Sequence, residues 1–400
     1  MALSNSETHY GVVTKSFHWT VALLILTLIP LGIYANDLPY DTSEALAQKA
    51  WFFSLHKTLG VTVFLIALAR ILWAVTQPKP AGLHPERKLE TFAATTVHCL
   101  LYGSLLLVPL SGWIHHASTA GFAPIWWPFG QDLPLVPKSE NLAAITAGLH
   151  IVFERVLALS IFLHLAGALK HHFIDRDATL RRMLPGAPHV KVQKTSDKGS
   201  LPLFAAVVVW VCALGVGSAL GVYQKHESSV QAAALEAVQS DWVVEDGTLE
   251  ITVTQLGSPV TGSFADWTAA ISFDETRDSG AVGSVEVVVS IGSLTLGSVT
   301  SEALGSDYFE AAAFPTATFA ADILNGSDGL VADGTLTIKD ISVPLRLPFT
   351  LDLSSGTADM RGQATLDRRN YNIGADQTDA GTLGFDVTIS TALTARRDGD

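Results

Sequence analysis

The sequence predicts a membrane-spanning, all-α unit that is followed in the same chain by an all-β, antiparallel unit. Five long apolar segments lie within residues 1–222, and each is long enough to cross a bilayer as a helix. From Asp241 onward, apolar residues alternate with polar ones in short runs, which is the period of a β-strand. The net charge of −13 over 400 residues divides into +4 for residues 1–222 and −17 for residues 223–400. The acidic second part argues against nucleic acid as a partner.

The predicted membrane-spanning helices are five apolar segments at about 17–35, 54–75, 96–114, 149–170 and 201–222. The first segment has the position of a signal peptide, but its apolar run is too long and begins with His18 and Trp19. We therefore expect it to be retained as a helix. Both cysteines of the chain, Cys99 and Cys212, lie inside apolar segments and indicate neither a disulfide nor a zinc site.

The orientation in the membrane follows from the Lys and Arg residues of the short loops. The segments 76–95 and 171–200 carry nine of these residues, whereas 36–53 and 115–148 carry two. Because basic loops remain on the cytoplasmic side, we expect a cytoplasmic N-terminus. The fifth helix then runs outward and leaves the acidic part of the chain on the outer side.

The fourth apolar segment carries two histidines, His150 and His164, which are fourteen residues apart. Fourteen steps of about 100° return to within roughly 40° of a whole number of turns, so both rings leave the same face of the helix. At about 1.5 Å per residue they lie roughly 21 Å apart, one near each side of the bilayer. Two haems that each take one ligand from this helix would explain the spacing, and polar contacts between helices are the alternative.

The depths of two further histidines favour the haems. His18 begins the first helix on the cytoplasmic side, and His56 begins the second helix on the outer side. The histidines therefore form two level pairs, His56 with His150 and His18 with His164. The pairing by depth agrees with the orientation that the loop charges predict independently. An iron with two imidazoles has no open position, which suits electron transfer, and quinone is the natural mobile partner at a bilayer face.

Several other polar residues of the membrane unit are weaker candidates for a functional role. His98 begins the third helix on the cytoplasmic side, where it could bond a haem propionate, line a quinone site, pack, or replace His18 as a ligand. Arg70 ends the second helix, and it either extends to the lipid headgroups or pairs with a propionate. The interfacial histidines that end the third and fourth helices are typical of solvated positions; they are His115, His116, His171 and His172.

Residues 9–185 contain the motifs SFHW, LHKTLG, VHCLLYGSLLLVPLSGW, GLH and LHLAGALKHHFIDRDATLRRMLP. Through these motifs the segment resembles the bacterial diheme cytochrome b561 family of four-helix membrane cytochromes. The resemblance implies two haem b groups, electron exchange with a quinone such as ubiquinone, and a bacterial inner-membrane location. With the orientation that the loop charges predict, the C-terminal part is expected to be periplasmic. The resemblance assigns the iron ligands to His18, His56, His150 and His164. Some members are described as oxidising superoxide with quinone as acceptor.

The part of the chain after this unit begins with a predicted polar linker, 186–200, which leads into the fifth helix. That helix departs from the four-helix pattern, and we interpret it as a tether. Residues 223–240 are rich in Ala and Gln and are predicted to form a stalk on the outer side.

The second domain, from residue 241 to 400, consists of many short amphipathic strands, which favour an antiparallel barrel or sandwich. One or two helical turns are expected around 301–314. This part holds no histidine or cysteine, so catalysis is not expected there.

Residues 241–397 contain the motifs GSFADWTAAISFDE, LGSDYFEAAAFPTATF, DGTLTIKDISVPLRLPF and LDRRNYNIG. Through these motifs the segment resembles the YceI-like family of lipocalin-like barrels. The resemblance implies an apolar cavity for isoprenoid chains, such as polyprenyl or quinone tails. Tyr308, Phe309 and Phe314 are the candidates near its mouth, and packing in the core is the alternative for each. Ser301 and Glu302 stand where the family usually has Arg-Asp.

Three hypotheses of function follow. The first is a membrane electron carrier with a tethered isoprenoid-binding or quinone-binding domain, which would exchange electrons with quinone and with a redox partner protein. The second is a lipid-binding or stress-response module whose cytochrome acts as a redox sensor. The third makes the membrane unit the anchor subunit of a separate dehydrogenase.

Overall fold

The computed structural model describes residues 2–119, 121–186, 188, 190, 199–224, 231–236, 238–327, 329–354 and 356–397. The chain forms two compact units. One comprises Met1–Asp37, Phe52–Thr119 and Pro124–Lys225, and the other comprises Leu38–Trp51, Ala120–Ala123 and His226–Asp400. Ten of the fifteen residues of the predicted linker at 186–200 lie outside the described residues, and so do seven of the eighteen residues of the predicted stalk at 223–240.

Among the described residues, five helices are long and apolar enough to cross a membrane, as the sequence predicts. They are α1 (Val12–Asp37), α2 (Ser43–Thr76), α3 (Lys88–Ser118), α4 (Glu140–Phe173) and α5 (Leu201–Ala219). Several extend beyond their apolar segments because polar residues cap and continue the ends. The Ser139 side chain accepts a hydrogen bond from the backbone NH of Leu142 at the start of α4, and Lys170, His171 and His172 complement the helix dipole in its last turn.

The first four helices share one apolar core. It takes buried residues from every one of them, and these are Val21, Ile25 and Leu28 of α1, Val63 and Ala67 of α2, Leu105 of α3 and Leu157 of α4. Large apolar side chains are also exposed on the outside of these helices, as with Leu72 and Phe162. A helix that is apolar on every side is typical of a bundle whose outer surface faces lipid. The predicted four-helix bundle is confirmed.

The fifth helix packs against the bundle. The Trp210 ring of α5 meets the Phe153 ring of α4 edge-on, with their centres 5.2 Å apart, and a Cβ added at Gly103 of α3 would contact Trp210 at 3.5 Å. At Gly217 of α5, an added Cβ would lie only 2.8 Å from Val152 of α4. The interpretation of this helix as a tether is therefore incomplete, because α5 also closes one side of the bundle.

The strands in the described part of the second unit are β1 (Trp242–Gln255), β2 (Ser258–Phe264), β3 (Trp267–Phe273), β4 (Gly280–Ser290), β5 (Leu294–Thr295), β6 (Thr316–Gly326), β7 (Gly329–Ile338), β8 (Ile341–Ser354), β9 (Thr357–Asp367) and β10 (Leu383–Arg397). These ten strands form one antiparallel sheet in the order β3-β4-β6-β7-β8-β9-β10-β1-β2-β5. The first and last strands pair along most of their length. The predicted helical turn is present as α6 (Thr300–Ala303).

The curled sheet encloses an apolar core on one face. The alternation that predicts strands is visible in β6, where Ala317, Phe319, Ala321 and Ile323 are buried at every second position. Most of these residues join one large cluster with side chains from the loops between β5 and β6, such as Leu304. The prediction of an all-β, antiparallel, lipocalin-like domain is confirmed.

Candidate haem sites and the apolar interior of the β-domain

Two of the predicted ligands are held by backbone carbonyl groups of neighbouring helices. Nδ1 of His56 lies 3.1 Å from the Leu28 carbonyl oxygen of α1. Nδ1 of His150 lies 2.8 Å from the Val108 carbonyl oxygen of α3. A carbonyl oxygen can only accept, so each Nδ1 carries the proton and each neutral ring presents a lone pair at Nε2. This is the tautomer that iron ligation through Nε2 requires.

Two glycines that sequence reasoning missed make these hydrogen bonds possible. A Cβ on Gly32 would lie 2.8 Å from Cε1 of His56, and a Cβ on Gly112 would lie 2.9 Å from Nδ1 of His150. Each glycine stands four residues after the carbonyl group that accepts from the ring, so any side chain there would displace the imidazole. The available signal was a glycine within an apolar helix, which costs about 1 kcal/mol relative to alanine and therefore needs a reason.

A second group of histidines contains His18 of α1, His98 of α3 and His164 of α4. The ring centres of His18 and His164 are 6.1 Å apart, and those of His98 and His164 are 5.2 Å apart. Two metal–imidazole bonds of about 2 Å, extended by roughly 1 Å to each ring centre, place two axial imidazoles about 6 Å apart. The His18–His164 separation therefore fits one iron between the rings.

Arg70 lies inside this group. Its Nη2 is 3.3 Å from Nδ1 of His18, and its guanidinium group lies over the Tyr102 ring, 5.2 Å from the ring centre. Arginine can only donate, so a neutral His18 bonded in this way carries its proton on Nε2. Ligation of iron through Nε2 of His18 therefore requires the ring to turn or Arg70 to move to another acceptor, such as a propionate.

Two glycines leave local clearance beside the histidines. Gly60 and Gly167 follow His56 and His164 by four and three residues, so they lie on the same helix faces one turn away. No described atom lies within 4 Å of a Cβ built on either glycine. The donor set, two groups of neutral imidazoles on four helices, and this clearance fit a pair of haem groups.

In the β-domain, two of the three predicted lipid-contacting residues reach the apolar core. Tyr308 and Phe309 pack against it, and Phe309 meets Phe264 edge-on with ring centres 6.4 Å apart. Burial raises the pKa of the Tyr308 hydroxyl. Phe314 is half-buried and is not part of this cluster. The structure therefore brings together Tyr308 and Phe309, but not Phe314.

Arg368, in the LDRRNYNIG motif, is a buried anchor that sequence reasoning missed. It is 2% exposed, and burial lowers the pKa of its guanidinium group. Its nitrogens donate to five backbone carbonyl oxygens, those of Ile373, Gly374, Gln377, Leu383 and Gly384. The neighbouring Arg369 is exposed and pairs with Asp367. The sequence shows two adjacent arginines, and nothing in their spacing indicates which one is buried.

A membrane-embedded helical bundle with histidines in two groups, joined to a curled antiparallel sheet, defines a membrane cytochrome of the b type with an additional lipocalin-like domain. Comparison with family models agrees with this class. Residues 9–186 match the model for prokaryotic cytochrome b561, and residues 226–395 match the model for the YceI-like domain. The chain belongs to the prokaryotic cytochrome b561 family and carries a YceI-like domain after its cytochrome unit. Both resemblances inferred from the sequence are confirmed.

Individual relatives cover the two parts separately. Cytochrome b561 homolog 2 of Escherichia coli (strain K12) is 32% identical over 188 residues, which is 46% of this chain and 95% of the relative. The probable superoxide oxidase CybB of Yersinia pestis is 24% identical over 177 residues, 44% of this chain and 96% of the relative. Among solved structures, Burkholderia cenocepacia BcnA is 25% identical, with a TM-score of 0.35, over 37% of this chain and 95% of BcnA.

Proposed function

We propose that the protein is a membrane electron-transfer cytochrome with two bis-histidine haem b groups, one between His56 and His150 and the other between His18 and His164. The observation that carries this proposal is the 6.1 Å separation between the His18 and His164 ring centres, which is the spacing of two axial ligands. Family membership, which implies haem b, supports it.

The protein groups around the proposed ligands have defined roles. When bound, six-coordinate haem iron supplies one-electron exchange. The carbonyl groups of Leu28 and Val108 accept hydrogen bonds from Nδ1 of His56 and of His150. These bonds fix both tautomers and make the lone pair on each Nε2 a stronger ligand for iron. Arg70 is a cation within reach of His18, where it can balance the charge of a propionate. His98 contacts His164 and is assigned the role of positioning that ring.

Electron exchange with quinone is the second part of the proposal. The membrane-spanning helices give an apolar, membrane-soluble carrier direct access to the bundle. The Yersinia pestis relative is named a probable superoxide oxidase, so superoxide oxidation with quinone as acceptor is the specific activity to assay. The β-domain would bind an isoprenoid chain, such as a quinone tail, and its apolar core and YceI-like match support this assignment. We place it in the periplasm on the evidence of the loop charges.

The ligand assignment is tested by His150→Gln and His164→Gln. Each change removes one axial ligand, so we expect each variant to lose the low-spin signature of one haem while the other remains. Haem per protein and the reduced-minus-oxidised spectrum are the measurements. His172→Gln, at the end of the same helix and outside both groups, is the matched control and should keep two haems. Two low-spin haems in both variants would refute the assignment.

Extraction of lipid from the purified protein separates the three hypotheses. Recovery of quinone supports the electron carrier with a quinone-binding domain. Recovery of other polyprenyl lipids favours a lipid-binding or stress-response module with the cytochrome as its sensor. Co-purification of a flavin-containing or metal-containing subunit favours the role of a dehydrogenase anchor.

A further inference from the structure

Outside the proposed haem sites, three side chains bring potential metal-ligand atoms together near the end of α4. They are His84 in the loop between α2 and α3, His171 in the last turn of α4, and Asp177 just after it. One ligand atom from each residue lies within 4.8 Å of the other two. Oδ2 of Asp177 is 3.0 Å from Nε2 of His84 and 2.7 Å from Nδ1 of His171. The two imidazole rings are nearly parallel, with centres 6.2 Å apart.

We propose that His84, His171 and Asp177 bind a divalent transition-metal cation of the zinc class. Two imidazole nitrogens and one carboxylate oxygen are donors that such cations accept, and they leave a fourth position for water. Ligand atoms of a zinc-class ion lie about 2 Å from the metal. Small side-chain movements would therefore suffice to place the ion between these atoms.

The second nitrogen of His84 supports a cation at this place. Nδ1 of His84 is 3.2 Å from a carboxylate oxygen of Glu86. An ionised carboxylate only accepts, so Nδ1 carries a proton and a neutral His84 directs the Nε2 lone pair at the Asp177 oxygen. Two electron-rich atoms at that distance repel each other unless a proton or a metal cation lies between them. Metal-bound histidines commonly donate their other NH to a carboxylate in this way.

The Asp177 carboxylate is oriented and ionised. Its Oδ1 accepts a hydrogen bond of 2.7 Å from the Thr179 backbone NH, which leaves Oδ2 directed at the two rings. Hydrogen bonds from Thr179 and His171 favour the ionised form of this carboxylate, and an aspartate is ordinarily an anion at neutral pH.

The neighbouring carboxylates already have cationic partners. Asp175 lies 3.0 Å from Lys170 and 3.1 Å from Arg87, although it also approaches Nδ1 of His171 at 3.1 Å. Glu90 lies 2.8 Å from Lys170. Within the described part of the chain, the partners of Asp177 are the two imidazoles and Thr179, through its backbone NH and its side chain. Asp177 is therefore the carboxylate whose charge remains for a metal ion.

A bound metal ion would join the loop between α2 and α3 to the end of α4. Protonated imidazoles paired with Asp177 would explain the distances equally well, and the two interpretations differ in a measurable way. A metal ion must displace the protons between the rings and the carboxylate, so its apparent affinity rises with pH.

The test is a Zn²⁺ titration of the full-length, tag-free protein in detergent by isothermal calorimetry. We expect one Zn²⁺ per chain, and a loss of affinity of about 10- to 100-fold or more in His84→Gln and in Asp177→Asn. The control His172→Gln removes the adjacent histidine, which contacts Phe173 and lies outside the cluster. It should bind Zn²⁺ like the wild type. Circular dichroism and elution volume check that each variant folds.

Equal Zn²⁺ affinity in the wild type and in His84→Gln would overturn the proposal, and so would an equal loss in His172→Gln. If Asp177→Asn does not fold, His84→Gln decides the question, because His84 lies in a loop and is half-buried. An affinity that does not change between pH 6 and pH 7.5 would also count against displacement of protons by a metal.

Discussion

A histidine in a membrane helix needs a partner for each nitrogen, and at His56 and His150 the partner of Nδ1 is a carbonyl group of the adjacent helix. The imidazole can reach that carbonyl group because a glycine lies one helical turn after the residue that carries the carbonyl group. Glycine would weaken an isolated helix by about 1 kcal/mol relative to alanine. At Gly32 and Gly112 this cost is offset by the approach of a ring that no larger residue permits.

Gly112→Ala is therefore expected to disturb the proposed haem site at His150. The added Cβ would lie 2.9 Å from Nδ1 of His150, so the ring must move and its hydrogen bond to Val108 lengthens or breaks. Loss of such a supporting partner typically lowers metal affinity by about 10- to 100-fold. We expect haem content to fall from two toward one per chain.

The control is Gly103→Ala in the same helix, where the new Cβ would meet Trp210 at an ordinary 3.5 Å. It should retain both haems, as measured by haem per protein and by the difference spectrum. An unchanged haem content and spectrum in Gly112→Ala would show that the glycine does not serve the ring.

At the residue scale, the sequence predicts the four histidines because their depth depends only on helix rise and loop charge. It does not predict the carbonyl partners, because these depend on how closely two helices approach each other. The contact of Arg70 with His18 likewise depends on how two helices pack together. The contacts among His84, His171 and Asp177 arise because a loop folds back to the end of α4, so a histidine expected to be solvated lies in a cluster.

At the scale of the elements, the turn between β9 and β10 depends on one buried cation. Arg368 donates to five carbonyl oxygens that a continuous sheet would otherwise satisfy. The segment 372–384 has few ladder hydrogen bonds of its own, since β9 ends at Asp367 and β10 begins at Leu383. The guanidinium group therefore replaces a hydrogen-bond ladder over this segment.

Arg368→Gln is expected to open this segment. Unsatisfied buried acceptors cost about 1–3 kcal/mol each, and a combined local loss of about 3 kcal/mol corresponds to roughly 100-fold faster exchange. The measurement is hydrogen–deuterium exchange of the Gly374 amide, which bonds the Asp307 carbonyl group at 2.8 Å.

Arg369→Gln provides the comparison, because Arg369 is exposed and its partner Asp367 is also on the surface of the turn. Its exchange at Gly374 should remain within a few-fold of the wild type. If both arginine variants exchange alike, the buried guanidinium group does not hold the segment.

The sequence predicts helices and strands well where one hydrophobic periodicity extends over a whole segment. The apolar segments gave five helices, and the alternation from Asp241 onward gave antiparallel strands. The predicted role of α5 as a tether is incomplete because the helix also packs against the bundle. That packing depends on the contact between Trp210 and Phe153, which are far apart in the sequence. Composition identifies a helix that can cross a membrane, but it does not show which neighbours that helix will contact.

At the scale of the whole molecule, the distribution of charge governs the proposed orientation. The basic residues of the membrane unit are concentrated in two of its loops, whereas residues 223–400 carry a net charge of −17. Short basic loops are retained in the cytoplasm, while acidic segments contribute little to orientation. We therefore expect the N-terminus to lie inside and the β-domain outside, so that the proposed ligand of the β-domain would be a periplasmic one.

Reporter fusions measure this orientation directly. We expect alkaline phosphatase, which is active only outside the cytoplasm, to be active when it is joined after Arg397 and inactive when it is joined after Arg182. A green fluorescent reporter that folds only inside should give the opposite pattern at the same two positions.

Replacing Arg181 and Arg182 with Gln removes two basic residues from the loop before α5. This change should lower the phosphatase activity of the fusion after Arg397, because the loop is then retained less strongly. Phosphatase activity after Arg182 but not after Arg397 would mean that the β-domain is cytoplasmic, and the proposed periplasmic ligand would have to be abandoned while the haem assignment could still hold.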